Sequence, residues 1–220
     1  MKIPPFELIC TLLIAASLPS LGGCAYSLHP LYTCESSIVP PPSGNRPPRE
    51  PHSPCKSISV PGLVGKWVST DKDESGGPFT IQANQDGTYE LTGEDADTHI
   101  VEESTIHLVR LQKNLFADLR FDSESLNGKD IELPAAVLPM HMILRVSLNG
   151  DTLELAVLSH DWLEKQFALK KISIAHLYVD RDGWSDILLT APTADLREFV
   201  KQIADDPSAF DEPPVFHRAK

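Results

Sequence analysis

The stretch MILRVSLNGDTLELAV, Met142 to Val157, constrains the fold more than any other part of this sequence. Met142, Leu144, Val146 and Leu148 recur at every second position, and Leu153, Leu155 and Val157 do so after Asn149-Gly150-Asp151. Alternation of period two puts one apolar face on each strand, and Asn-Gly supplies the positive φ angles that a tight hairpin needs. The same pattern recurs along the chain from Ser57 onward. LVGKWVS places Leu63, Gly65 and Trp67 on one face; PFTIQA alternates Phe79, Ile81 and Ala83, and the turn NQDG leads into TYELT. STIHLVRL and NLFADLRF form another pair through Gln112-Lys113, with Leu115, Ala117, Leu119 and Phe121 on one face and Asp118 and Arg120 on the other. Such a series predicts a mainly β fold: an antiparallel sheet with one wet face, or a closed barrel.

Two segments have helical period instead. Asp161 to Glu164 reads as a D-x-x-E capping box, opening a short helix that ends at Lys170-Lys171. Thr193 is placed to cap a second, in which Leu196, Phe199, Val200 and Ile203 follow i, i+3, i+4, i+7. That amphipathic helix needs a surface to cover, most simply the outside of the sheet. DILLT before it is apolar enough for a strand packed on both faces. The domain 57–210 holds one hydrophobic core, without an internal repeat, and the tail 211–220 is expected to be loose.

The N-terminus reads as an export signal over 1–23. Lys2 gives a positive start diluted by Glu7, Leu8 to Leu18 is apolar but too short to span a bilayer, and Leu21-Gly22-Gly23 offers small residues for cleavage. Leu21-Gly22-Gly23-Cys24 resembles the lipobox of bacterial lipoproteins. The resemblance implies cleavage before Cys24 and a diacylglycerol thioether on its sulfur, hence a membrane partner through a lipid anchor in the bacterial envelope. Ala25, rather than Asp, then favours the outer membrane. Two or more acyl chains suffice for stable anchoring. The net charge of −12 disfavours nucleic acid as a partner and electrostatic attraction to anionic headgroups. With Cys10 removed and Cys24 lipidated, Cys34 and Cys55 remain, and in an oxidising compartment they are expected to bridge. Val39 to Pro54, VPPPSGNRPPREPHSP, has polyproline II character. Residues 24–56 thus read as a lipid-anchored spacer whose reach the Cys34–Cys55 bridge would shorten.

Ser27-Leu28-His29-Pro30-Leu31-Tyr32-Thr33, LVGKW, LPMHMILRV, GDTLELAVLSHDWLEK and ILLTAPTADLREFV resemble a group of largely uncharacterised bacterial lipoproteins, in which the aromatic phrase would be a membrane-proximal tag. Gly65-Lys66-Trp67 resembles the G-x-W of the first lipocalin strand, where tryptophan closes the barrel base, and ILLTAPTADLREF is similar to the last strand and helix of that fold. The resemblance implies a lipocalin-like barrel. It also implies an arginine packed on the tryptophan, where this chain has Ala191 near the matching segment.

Candidate chemistry is sparse. Ser159-His160-Asp161 are neighbours in sequence, whereas a triad must converge in space; Asp161 reads as a helix cap. Asp71 to Gly76, DKDESG, imitates an EF-hand start, but Gln82 stands at the twelfth position and Pro78 interrupts it; Asp180 to Gly183 and Gly93 to His99 are further acidic turns. His141, His160 and His176 show no metal-ligand spacing, and no cofactor motif is present. Trp67, Tyr89, Phe116 and Phe121 are candidates to line a ligand cavity, or to fill a solid core. The reading is of a non-catalytic domain that binds a small apolar ligand or an envelope protein. A structural protein with a filled core is the alternative, followed by an envelope hydrolase built on one of the three histidines.

Overall fold

The computed structural model describes residues 23–33, 57–69, 78–94, 100–126, 129–130, 140–181 and 184–219. Among them are twelve strands and two α-helices: β1 (Ala25–Ser27), β2 (Gly65–Ser69), β3 (Phe79–Ala83), β4 (Tyr89–Glu94), β5 (Ile100–Leu111), β6 (Asn114–Leu126), β7 (Lys129–Asp130), β8 (His141–Asn149), β9 (Thr152–Val157), α1 (His160–Ala168), β10 (His176–Arg181), β11 (Trp184–Leu189), α2 (Thr193–Ile203) and β12 (Val215–Arg218). No helix among the described residues is long and apolar enough to cross a membrane.

Strands β2, β3, β4, β5, β6, β8, β9 and β12 pair in that order, and β12 returns to β2 while β6 pairs with β8. The result is a closed, eight-stranded, antiparallel up-and-down barrel of lipocalin-like type. The hairpin expected at Asn149-Gly150 is present, with Leu148 opposite Leu153, Val146 opposite Leu155 and Leu144 opposite Val157. Gly150 takes φ +60°, the conformation that favours glycine at such a turn. The β5–β6 turn falls at Gln112-Lys113, as read.

Alternation along these strands builds two cores. Trp67, Phe79, Ile81, Tyr89, Leu91, Ile106, Leu108, Ala117, Leu119, Met142, Leu144, Leu153, Leu155 and Phe216 pack inside the barrel. The opposite face of the same strands, with Val109, Phe116, Ile143 and Ala156, is covered from outside by Leu163 of α1 and by Leu196, Phe199, Val200 and Ile203 of α2. The four-residue stripe of α2 is buried as its period implies, and each such side chain contributes about 1.5–3 kcal/mol of burial.

Three expectations are corrected. The tail is not loose: Val215–Arg218 is β12, paired with β2 on one side and β9 on the other, and it closes the barrel. Its only strongly apolar inward residue is Phe216, too short a pattern to announce a strand. ILLTAPTADLREF is not the end of the barrel, because β11 lies outside it and α2 precedes the closing strand. Residues 24–33 are not spacer either, since β1 lies in the sheet between β11 and β8, parallel to the former. The helix caps also differ. Ser159, not Asp161, caps α1 by accepting from Trp162 N–H, and Thr193 is drawn away from capping α2 because its hydroxyl donates to Pro30 O at 2.8 Å.

Candidate functional site

Three places gather candidate side chains: the closed end of the barrel, the docked N-terminal segment, and a groove beside β10.

At the closed end Trp67 is fully buried, and its Nε1 donates to Leu63 O at 2.9 Å. Arg218 of β12 lies over the indole at 4.5 Å. Its guanidinium donates to Gly62 O and Val64 O at 2.6 Å each, and its Nε to Asp151 at 3.0 Å. The arginine expected on the tryptophan is therefore present, delivered by the supposed tail and not near Ala191. Gly65, the glycine of G-x-W, has φ +148°, and a Cβ there would run into Arg218 Nη1. Glycine is what that contact demands.

The four aromatic candidates do not share one cavity. Trp67 and Tyr89 belong to the interior, where the Tyr89 hydroxyl accepts from Val60 N–H at 2.7 Å. Phe116 points the other way into the outer core, 6.0 Å from Phe210. Phe121, half-buried on β6, stands opposite Ser104 beside a bulge.

The docked segment is held by polar groups on the barrel's outer face. Asp118, fully buried, accepts from Leu31 N–H with one oxygen and binds His141 Nδ1 with the other at 2.6 Å. Leu31 itself is fully buried, and its carbonyl accepts from Arg197 Nη1 at 2.8 Å. Tyr32 stacks on His107 at 3.7 Å, and His107 Nδ1 has no hydrogen-bond partner among the described residues. Burial holds the His107 imidazole below its ordinary value, opposed by the nearby Asp118 carboxylate. The phrase after Cys24 is thus clasped onto the fold. Sequence reading missed it because Asp118 looked like a solvent-facing position between Ala117 and Leu119.

Cys24 begins this segment. Its N–H donates to Asp186 Oδ1 at 2.8 Å and its carbonyl accepts from Ile187 N at 3.0 Å. Its sulfur is in a disulfide, and the other cysteine lies outside the described residues, as do Cys34 and Cys55. A sulfur so bonded carries no thioether, so the two fates of Cys24 exclude each other in any one molecule.

Of the histidines, His141 meets the Asp118 carboxylate within a sealed contact, both side chains being buried. Ser27, opposite it in register, spends its hydroxyl on His29 O at 2.6 Å. His160 Nδ1 lies 3.3 Å from Asp161, and its Nε2 has no partner among the described residues. Asp211 beside it is pushed up by burial, which the hydrogen bond from Ser159 opposes. His176 Nδ1 donates to Ile174 O at 2.9 Å, with its ring stacked on Phe167 at 3.7 Å. None of the three is hydrogen-bonded to both a carboxylate and a nucleophile among the described residues. Asp71 to Gly76 lies outside them, and no cluster of metal-ligating side chains occurs within them.

The third place is an open groove of about 630 Å³ between the end of α1, the connection after it and β10, lined by Phe167, Ile172, Ile174, His176 and Tyr178 with Glu164 and Lys170. Its size falls in the range of small-molecule sites.

Neither protein-family models, nor curated proteins, nor solved structures give a match to this chain.

Proposed function

We propose that this chain is a lipid-anchored bacterial envelope protein, exported by residues 1–23 and tethered through Cys24, whose sulfur in the mature protein carries lipid in place of the disulfide. Its barrel acts by binding rather than catalysis. One observation carries the reading further than the Leu-Gly-Gly-Cys sequence alone. The cysteine of that tetrapeptide is itself hydrogen-bonded into the sheet, the first of the described residues to be so, so a lipid on its sulfur would hold the barrel at the bilayer with no spacer. The burial of His141 with Asp118 and the local use of Ser27 favour binding over hydrolysis. A small apolar ligand or an envelope protein remains the class of partner. The filled arrangement of Trp67, Phe79 and Phe216 at one end favours a site outside the barrel or at its other end.

Intact mass spectrometry of the protein extracted from its own membranes tests the reading. The expected species starts at Cys24 and carries a diacylglycerol mass, lost in Cys24→Ser. A chain with its leader intact, or with Cys24 in a disulfide and no lipid, would overturn it.

A further inference from the structure

The described residues include four large hydrophobic side chains that are well exposed, among them Leu177 and Tyr178 of β10 and Leu169 just after α1. Tyr178 lines the groove together with Phe167, Ile172 and Ile174, and β10 is the last of the described strands on its side of the sheet.

The register places this edge beside the anchor. Tyr178 pairs with Ile187, and Ile187 pairs with Ala25, the residue after Cys24. Two strand spacings separate β10 from β1, about 10 Å. Paired residues share a face, so Tyr178, Ile187 and Ala25 lie on one side of the sheet, and Leu177, Leu188 and Tyr26 on the other. The edge therefore presents apolar groups on both faces at the level of the anchor.

Lys170 and Glu164 line the groove, and the exposed Lys165 and Lys171 adjoin these lining residues in sequence. Lysine and tyrosine at the border of an apolar surface are the residues that suit a bilayer interface, with apolar stems buried and polar tips in water. We propose that the groove and the β10 edge form a bilayer-contact surface, seated in the headgroup region of the anionic membrane to which Cys24 tethers the chain. This rests on the anchored reading above. The tether decides for the bilayer over a soluble partner: it fixes the membrane about two strand widths away, so that even a weak contact is populated through high effective concentration.

The test uses the full mature protein extracted from its membranes, first weighed intact, then placed in detergent or in nanodiscs of phosphatidylethanolamine with phosphatidylglycerol as the minor lipid. Amide hydrogen exchange is expected to slow several-fold over 165–178 in the nanodiscs, with no change over 79–92. The pairs Leu177→Ser with Tyr178→Ser, and Lys170→Glu with Lys171→Glu, are expected to abolish the slowing while leaving barrel exchange unaltered. A lipidated protein whose groove exchanges equally in both media would overturn the bilayer contact alone. A protein without lipid on Cys24 would overturn the anchor and this proposal together.

Discussion

At the scale of single residues, one carboxylate does more to organise the N-terminal segment than any apolar contact near it. Asp118 is fully buried on the outer face of β6, and its two oxygens are divided between Leu31 N–H and His141 Nδ1. Taking a carboxylate out of water costs several kcal/mol unless its lone pairs are satisfied by good partners. Both partners are strong here, and both become liabilities if the carboxylate is removed. Asp118→Ala leaves a buried amide and a buried imidazole unpaired, so it is expected to lower unfolding stability by about 3–5 kcal/mol. Asp118→Asn keeps the shape and one acceptor and should cost clearly less. Urea unfolding of the two variants checks this, and equal losses would show that the charge of the carboxylate, and neither its shape nor a single remaining acceptor, carries the effect. His107 belongs to the same cluster through Tyr32. Its ring is less basic than usual because protonation would put a charge into a buried stack, with Arg120 and His141 adding repulsion and Asp118 the opposing attraction.

At the scale of elements, the barrel is closed by the segment that carried the least sequence signal. β12 has one fully buried apolar residue, Phe216, which meets Phe79 edge-on at 4.8 Å. The remainder of its hold is Arg218, stacked on Trp67 and forked onto the carbonyls of Gly62 and Val64. Those carbonyls lie in the middle of the 3₁₀ turn Pro61–Leu63 and at its C-cap, so the last strand ties down the entry to the first barrel strand. Arg218→Ala is expected to cost about 1–3 kcal/mol, less than the sum of a cation–π contact and two charge-assisted hydrogen bonds because the guanidinium is partly exposed to solvent. Arg218→Lys should recover little, because an ammonium cannot fork onto two carbonyls while stacking. Thermal unfolding of both variants is the measurement, and full recovery by lysine would count against the forked geometry. This contrast shows where the sequence could be read and where it could not. The β8–β9 hairpin was legible because period, turn and length agreed over sixteen residues, Met142 to Val157. The α2 stripe was legible for the same reason. β12 was not, since four residues cannot display a period, and neither was β1, whose place depends on Asp118, Thr193 and Arg197 far along the chain. Trp67 is a landmark in sequence and fold alike, while Phe116, open to a cavity-lining or a core role from sequence, fills the outer core because both faces of β6 are apolar.

At the scale of the whole molecule, the docking of residues 24–33 changes what the proline-rich stretch can do. Were 24–56 a spacer, its extension would set how far the barrel stands from the membrane. With β1 in the sheet and Ser57 hydrogen-bonded to Leu108 N–H at 3.1 Å, residues 34–56 instead join two docked points. The distance from anchor to barrel is then fixed by Cys24 and Asp186, whatever the stiffness of the connection. The alternatives differ by amounts a spectroscopic ruler can resolve. As a spacer, the sixteen residues Val39 to Pro54 would reach about 50 Å in polyproline II form but only about 22 Å as a Gly-Ser chain of equal length. Replacing VPPPSGNRPPREPHSP by such a chain should therefore leave the energy transfer between a dye at Thr92 and acceptor lipids unchanged in the anchored protein. A rise in transfer corresponding to a drop of tens of ångströms would show that the clasp is open in the membrane-bound state. Reduction of a Cys34–Cys55 bridge should likewise leave the distance unchanged, because the hydrogen bonds of Leu31, Pro30 and Cys24 hold residues 24–33 to the barrel.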